Sequence, residues 1–258
     1  MTAPKHRLAG RTVWVVGASS GIGAMLAKEL VDRGARVAIS ARREDELDGV
    51  ADGRMTVAPL DVTDRDGFDA AATMIRHELG DIDTVIFNAG FWQRMDATAW
   101  DRDVFARHVD VNLLGLNNCI GSVLPHMLRS GGGRIVGVAS VAGYRGLAGA
   151  EAYGATKAAQ INLLEALRIA LAAQHISVIT VCPGFVRTDL TAGNTFPMPF
   201  MIEADEAART ICNGLERGKL EIVFPTPMAA LMKIARLVPV RLWAAAMGRT
   251  TKSSKGAR

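Results

Sequence analysis

The sequence predicts an α/β chain built on a doubly wound parallel sheet, with a helical extension at its C-terminal end. Three observations lead there. Short apolar runs alternate with amphipathic stretches from residue 12 onward. Almost none of the runs shows polar alternation, so they suit strands covered on both faces rather than one. The amphipathic stretches between them end on glycines, as helices often do. The chain has 258 residues, 49% of them hydrophobic, enough for one large domain with a sizeable core.

In chain order, the runs "TVWVV" (12–16), "RVAIS" (36–40), "MTVAPL" (55–60), "DTVIF" (83–87), "RIVGVAS" (134–140), "ISVITV" (176–181) and "EIVF" (221–224) read as strands. Helices are predicted over "GAMLAKELVDRG" (23–34) and "DGFDAAATMIRHELG" (66–80). Strand–helix alternation of this kind gives a parallel sheet with helices on both faces. Ligands of such sheets bind beyond the carboxyl ends of the strands, so candidate site residues are sought there.

Composition excludes several classes. Cys119, Cys182 and Cys212 are odd in number and in no metal spacing, and read as buried thiols in a reducing compartment. The five histidines are scattered and give no metal cluster. Asp61, Asp64 and Asp66 before Gly67 fail the calcium-loop pattern, because Val62 stands where the first ligand should be. The N-terminus "MTAPKHRLAG" has no apolar segment, and the uncharged stretch 169–186 is broken by Pro183-Gly184. A cytoplasmic protein without a membrane span is expected. Net charge is +4, yet Lys233, Arg236, Arg241, Arg249, Lys252, Lys255 and Arg258 all follow Glu221, the last acidic residue. The basic character belongs to the tail, and no interleaved aromatic-basic surface suggests nucleic acid.

The first strand ends in Gly17-Ala18-Ser19-Ser20-Gly21-Ile22-Gly23 and runs into a helix. Glycines allow a tight turn and close backbone approach, and a helix N-terminus offers free N–H groups to a phosphate. An ordinary glycine-rich turn would look similar, but three glycines with paired serines favour a nucleotide. This glycine-x-x-x-glycine-x-glycine spacing resembles the short-chain dehydrogenase/reductase family, with Val16 where that family usually has threonine. After the second strand comes Ser40-Ala41-Arg42-Arg43, with no carboxylate before Glu44. A site for NAD presents an acid there. Guanidinium groups suit a ribose 2′-phosphate instead, so Arg42 and Arg43 point to NADP(H), although a solvated helix start also needs charges. The resemblance implies adenine contacts at Asp61 and Val62, and a strand-supporting segment near the ribose at Asn88, Ala89 and Gly90.

Ser140 closes the fifth strand, and Tyr153 and Lys157 follow it four residues apart. On a helix these two share a face. A free tyrosine side chain, which titrates at about 10, exchanges protons poorly at neutral pH, and a neighbouring cation would lower that value. Ser140 would hydrogen-bond the reacting oxygen. A buried tyrosine and a snorkelling lysine explain the pair taken alone. That reading weakens once the glycine loop, Asn88-Ala89-Gly90 and Ser140 all fall at successive strand ends. The resemblance adds Asn112 as a fourth catalytic position holding a water that connects the lysine to solvent, a choice the residues alone do not make over Asn117 or Asn118. It also places Pro183, Gly184, Val186 and Thr188 beside the nicotinamide. The family likeness runs from residue 10 to about 225.

The function expected is NADPH-dependent reduction of a carbonyl to an alcohol, with Tyr153 as proton donor. The rival is a catalytically silent NADP(H)-sensing binding protein. Residues 189–202, with Phe196 and Met198, and Trp92 after Gly90 would line an apolar substrate site, suited to a lipid-like or acyl-derived ketone. A core-filling role would explain them equally well. A homodimer or homotetramer is expected. The division is a Rossmann-like catalytic domain over 1–225 and a basic amphipathic tail over 226–258. In the tail, Thr226 should cap a helix with Pro227 at its first position, running to about Val238, where Pro239 interrupts it. Leu231, Ile234, Val238 and Leu242 fall on one side. This face would lie either on the body, on a partner subunit, or on an anionic membrane as a peripheral contact.

Overall fold

The computed structural model describes residues 7–194 and 196–255, with side chains as far as residue 247. The charges of Arg249, Lys252, Lys255 and Arg258, and the N-terminal residues through His6, lie outside the described part.

Seven strands form one sheet, β1 (Thr12–Val16), β2 (Arg36–Ser40), β3 (Thr56–Val57), β4 (Thr84–Phe87), β5 (Gly133–Val138), β6 (Ile176–Pro183) and β7 (Glu221–Phe224). All pairs are parallel and the order across the sheet is β3-β2-β1-β4-β5-β6-β7. The strand order reverses between β1 and β4, which is the switch point where such sheets open a crevice. Ten α-helices complete the described chain: α1 (Gly21–Asp32), α2 (Glu44–Ala51), α3 (Arg65–Leu79), α4 (Arg102–His108), α5 (Gly115–Arg129), α6 (Glu151–Ala170), α7 (Asp189–Ala192), α8 (Ala204–Glu216), α9 (Thr226–Leu237) and α10 (Val240–Lys255).

The unbroken apolar runs have a direct cause. Successive side chains of a strand point to opposite faces. Val13 and Val15 enter the core on one face of the sheet, with Leu26 and Leu30 of α1 and Ile211 and Leu215 of α8. Trp14 and Val16 enter the core on the other face, with Phe68 and Ile75 of α3 and Leu116 and Val123 of α5. Neither face meets water, so the few polar residues in the strands, such as Ser40, need buried partners. The buried Trp14 indole satisfies its N–H on Ser40 Oγ at 2.8 Å. The three cysteines are all free and buried.

The structure shortens two predicted strands. The third run pairs regularly only at Thr56–Val57 and continues as single bonds from Ala58 to Ile39 and from Leu60 to Ala41, with Pro59 between them at the open edge of the sheet. The fifth stops at Val138, because Ser140 accepts the Ala142 N–H and starts a 3₁₀ turn over Val141–Gly143. Asn112 lies in a π-helical turn, Val109–Leu114, that joins α4 to α5 rather than in a regular helix.

The tail departs from expectation in two details. Its helix starts at Thr226 with Pro225 at the cap, so Pro227 takes the second position. The side that packs on the body is Met228, Met232 and Ala235, which join Ala139, Val141, Tyr144 and Cys182 in a small core. Leu231 and Ile234 face outward instead. Lys233 pairs with Glu221 at 2.7 Å, Arg145 donates to the Val238 carbonyl, and Trp243 donates to the Gly146 carbonyl. Among the described residues, no helix is long and apolar enough to cross a membrane.

Candidate active site

The glycine loop sits where β1 leaves the sheet. The Gly17 and Ala18 N–H groups both bond the Ser40 carbonyl of β2. Asn88, at the end of β4, donates its side-chain amide to the Gly17 carbonyl at 2.7 Å. The loop is thus held from both neighbouring strands. Its glycines are required by contact. A Cβ on Gly17 would stand 2.5 Å from the Ala89 backbone, and one on Gly23 would stand 2.0 Å from the Gly17 carbonyl oxygen. Gly17 and Gly21 also adopt positive φ, 85° and 56°. Gly21 lies against Thr188, whose methyl would be 2.9 Å from a Cβ there. At the start of α1, Ser20 makes no side-chain cap and the first turn holds no acidic residue. That donor set, with Ser19 and Ile22 beside it, fits a cofactor phosphate.

Beside this loop the two arginines take different places. Arg43 reaches from Glu46, at 2.7 Å, to the Ser19 hydroxyl, at 3.4 Å. Arg42 lines a cavity of about 370 Å³ with Pro59, Leu60, Asp61, Asp64 and Gly67. Burial raises the Asp61 pKa, but hydrogen bonds from the Thr63 N–H and hydroxyl, with Arg42 and Arg107 nearby, outweigh it and hold the carboxylate below its usual range. Val62 packs on Gly115, and its carbonyl accepts from Asn118. Asp64 accepts from the Gly67 N–H and caps α3.

Ser140, Tyr153, Lys157 and Asn112 converge beyond the ends of β4 and β5. Ser140 Oγ takes the Ala142 N–H at 3.1 Å and donates to the Pro183 carbonyl at 3.5 Å, and it lies close enough to the Tyr153 hydroxyl to lower its pKa. Tyr153 and Lys157 lie on successive turns of α6, with Lys157 Nζ 5.6 Å from the tyrosine ring centre. Gly90 closes the gap between strands, since a Cβ there would be 3.7 Å from Asn112 Oδ1 and 3.8 Å from Lys157 Nζ. Asn112 is fully buried and Asn117 is exposed, which separates two residues the sequence could not rank. The Asn112 side chain accepts the Phe91 N–H and donates to the Phe91 carbonyl and to Thr156 Oγ1. It ties the Gly90 loop to α6.

Burial moves the two key groups in opposite directions. The Tyr153 pKa is pushed up to about 12 by burial, against a lowering contribution from the Ser140 hydrogen bond. The Lys157 pKa is pushed down to about 8 by burial, with Cys182 acting weakly the other way. The expected lowering of Tyr153 by the lysine is therefore absent in this state. Burial dominates, and Lys157 spends two of its donors on the Val138 carbonyl, at 2.9 Å, and on Gln160 Oε1, at 3.1 Å.

Two side chains here went unnoticed in the sequence. Gln160 is fully buried one turn beyond Lys157, and its only sequence mark is a polar residue on an otherwise small and apolar helix face. His108 is also buried, accepts the Gln93 N–H at Nε2, and pairs through Nδ1 with the Val104 carbonyl. Those two partners require the proton on Nδ1. Burial holds His108 below its usual pKa, so it is a neutral strut under the 91–93 segment.

Trp92 stands edge-on to Tyr153, ring centres 5.2 Å apart, and donates its N–H to Asn194 Oδ1. Asn194 also contacts the Met198 sulfur, and Phe196 packs on Phe185. Residues 189–202 are anchored at the far end by a bridge between Val186 and Ile202. Pro183 and Gly184 turn the chain out of β6, where Gly184 bonds the Phe224 carbonyl.

The contact at Gly23 gives a test of the loop. Gly23→Ala should destabilise the protein by about 1–3 kcal/mol, because the clashing atom is backbone and cannot move away alone. Thermal melting and titration with a dinucleotide should show both a lower midpoint and weaker binding.

The family model for short chain dehydrogenases matches residues 11–196. An uncharacterized oxidoreductase of Myxococcus xanthus is 38% identical over 245 residues, spanning 93% of this chain and 97% of the relative. A short chain dehydrogenase of Burkholderia cenocepacia, solved in complex with NADP, superposes with a TM-score of 0.83 at 26% identity, over 93% of this chain and 98% of that one. The fold is also that of the 3-ketoacyl-(acyl-carrier-protein) reductase of Brucella melitensis, solved with NADH, at a TM-score of 0.77 and 24% identity over 84% and 98% of the two chains. With the family's sequence pattern spanning most of the chain, and a relative of this identity covering nearly all of it, the chain belongs to the short-chain dehydrogenase/reductase family of oxidoreductases.

Proposed function

We propose that this protein reduces a carbonyl group to an alcohol with NADPH. The observation that carries the reading is Ser140, Tyr153 and Lys157 brought together at the strand ends that also hold the glycine loop, with Lys157 one turn from Tyr153. NADPH, when bound, supplies the hydride. Gly17, Ser19, Ser20, Gly21, Ile22 and Gly23 would face its phosphates, Asp61 and Val62 its adenine, and Asn88, Ala89, Gly90, Tyr153 and Lys157 its ribose. Pro183, Gly184, Val186 and Thr188 would flank its nicotinamide. Arg43, on the Ser19 hydroxyl, and Arg42, on the neighbouring cavity, would take a 2′-phosphate.

The chain's own residues account for the proton. Ser140 orients the carbonyl oxygen toward the phenol. A tyrosine held protonated to about 12 arrives at the reaction as an acid, ready to donate its proton as charge builds on that oxygen. Lys157, charged below about 8, favours the phenolate left behind. Asn112 holds the Gly90 loop against α6 and so fixes the floor of the cleft. Trp92, Phe196 and Met198 make the wall apolar, which suits a lipid-like or acyl-derived ketone.

The tail, 226–258, is read as an appendage of a catalytic domain spanning 1–225, and its outer face as a peripheral contact with an anionic lipid surface. Ile234, Leu237 and Val240 are 63%, 84% and 72% exposed, while Met228 and Met232 of the same segment are buried. No acidic residue follows Glu221. A second copy would bring the same basic segment against this one, whereas an anionic surface complements it.

Tyr153→Phe should retain NADPH binding while turnover of a reactive ketone falls by at least ~100-fold, the usual scale for a lost general acid. Wild-type reduction should hold through neutral pH and decline above about 8 as Lys157 loses its charge, the cation being the form present below its lowered pKa. Near-normal turnover of the variant would leave the silent NADP(H)-sensing protein as the better reading. Replacing Arg42 and Arg43 together by alanine should weaken NADPH by about tenfold or more and NADH little, since a charge-assisted contact is lost only for the former. Equal effects on both cofactors would remove the basis for NADP(H). Co-sedimentation with anionic vesicles at low salt should carry down the full chain but not a chain ending at Phe224. A dimer that ignores vesicles would assign the outer face to a second copy.

A further inference from the structure

Gln160 lies outside every motif used so far, yet it bonds both the key lysine and Asn112. Its Nε2 donates to the Asn112 main-chain carbonyl and its Oε1 accepts from Lys157 Nζ at 3.1 Å. The two contacts fix the amide orientation, because a carbonyl can only accept and an ammonium can only donate. The Asn112 carbonyl lies in the π-helical turn Val109–Leu114, where the backbone ladder shifts from four-residue to five-residue spacing.

We propose that Gln160 is a positioning residue for Lys157, linking the ammonium to the Asn112 carbonyl through one side-chain amide. The link that the family likeness would route through a water at Asn112 runs here through a covalently tethered group. This inference rests on the reductase reading for its activity readout, but its structural half does not.

Three consequences follow from the chemistry. With Val138 and Gln160 as acceptors, one Lys157 N–H is left for a bound molecule. An amide does not readily pass protons, so Lys157 acts as a fixed charge at this end rather than as a conduit. The Gln160 acceptor also favours the charged lysine against burial. The other titratable groups facing Lys157 are Tyr153 on its own helix and Cys182 of β6. Burial raises both, to about 12 and about 11, so both are neutral near pH 7. Among the described residues no carboxylate bonds Lys157, and its side-chain hydrogen-bond partner is the Gln160 amide.

The test compares Gln160→Met, which keeps the volume and removes both bonds, with Gln160→Glu, which keeps an acceptor for the lysine. Lys157 is titrated directly by NMR of side-chain-labelled, cofactor-free protein, assigned with Lys157→Arg. Gln160→Met should move its pKa down by about one unit or more, and Gln160→Glu should move it up. Thermal melting of each variant checks that it is folded. In the reductase assay, the alkaline decline should shift with the lysine in the same direction, and kcat should fall about tenfold or more in Gln160→Met. Folded variants whose Lys157 titrates as in the wild type would overturn the proposal and leave Gln160 a packing residue. A shifted lysine without any ketone reduction in the wild type would uphold the positioning role and count against the reductase reading instead.

Discussion

Close backbone contact between Gly17 and Ala89 is the constraint on which the cleft depends. No Cβ fits between them. The ends of β1 and β4 can therefore approach until the Asn88 amide reaches the Gly17 carbonyl. This approach brings the start of α1 beside the Gly90 loop. Gly90 in turn admits Asn112 and Lys157 from the opposite direction. A methyl group at Gly17 would push the ends of β1 and β4 apart, and with them the glycine loop from the Gly90 segment.

Sheet register carries the arrangement across the molecule. Val16 pairs with both Ser40 and Phe87, and Phe87 pairs with Gly137. Val138 pairs with Val181, and Pro183 with Phe224. Residues that follow these pairs emerge along one edge, and there lie the glycine loop, the arginines, the Asn88 segment, Ser140 and the Pro183–Thr188 turn. Parallel pairing places like ends together, so the site requires no long excursions. The helices supply the rest. Lys157 and Gln160 reach the strand ends from α6, and Asn112 reaches them from a π-helical turn whose carbonyl also accepts from Gln160.

Burial is the dominant electrostatic force in this cleft. It disfavours charge on both Tyr153 and Lys157, and so keeps the phenol protonated while leaving the ammonium only moderately stable. Ser140, the Val138 carbonyl and Gln160 then act against burial by hydrogen bonding. The protein thereby holds an acid and a cation together near neutral pH, with neither neutralised by a carboxylate partner.

The sequence by itself determined the succession of strands along the chain, the two-sided burial of the sheet and the residues of the glycine loop. Unbroken apolar runs and glycine spacing are local properties, and local sterics decide them. It also determined that Tyr153 and Lys157 share a helix face, since helical geometry alone requires it. Tertiary structure decided which asparagine is buried, that Arg43 rather than Arg42 reaches the loop, and that the tail packs through Met228 and Met232 while Leu231 and Ile234 face out. It decided the partner of Lys157 as well. Gln160 is 48 residues from Asn112 in sequence. Nothing local announces their bond, because it exists only where an interrupted helix and a second helix meet over the end of β5.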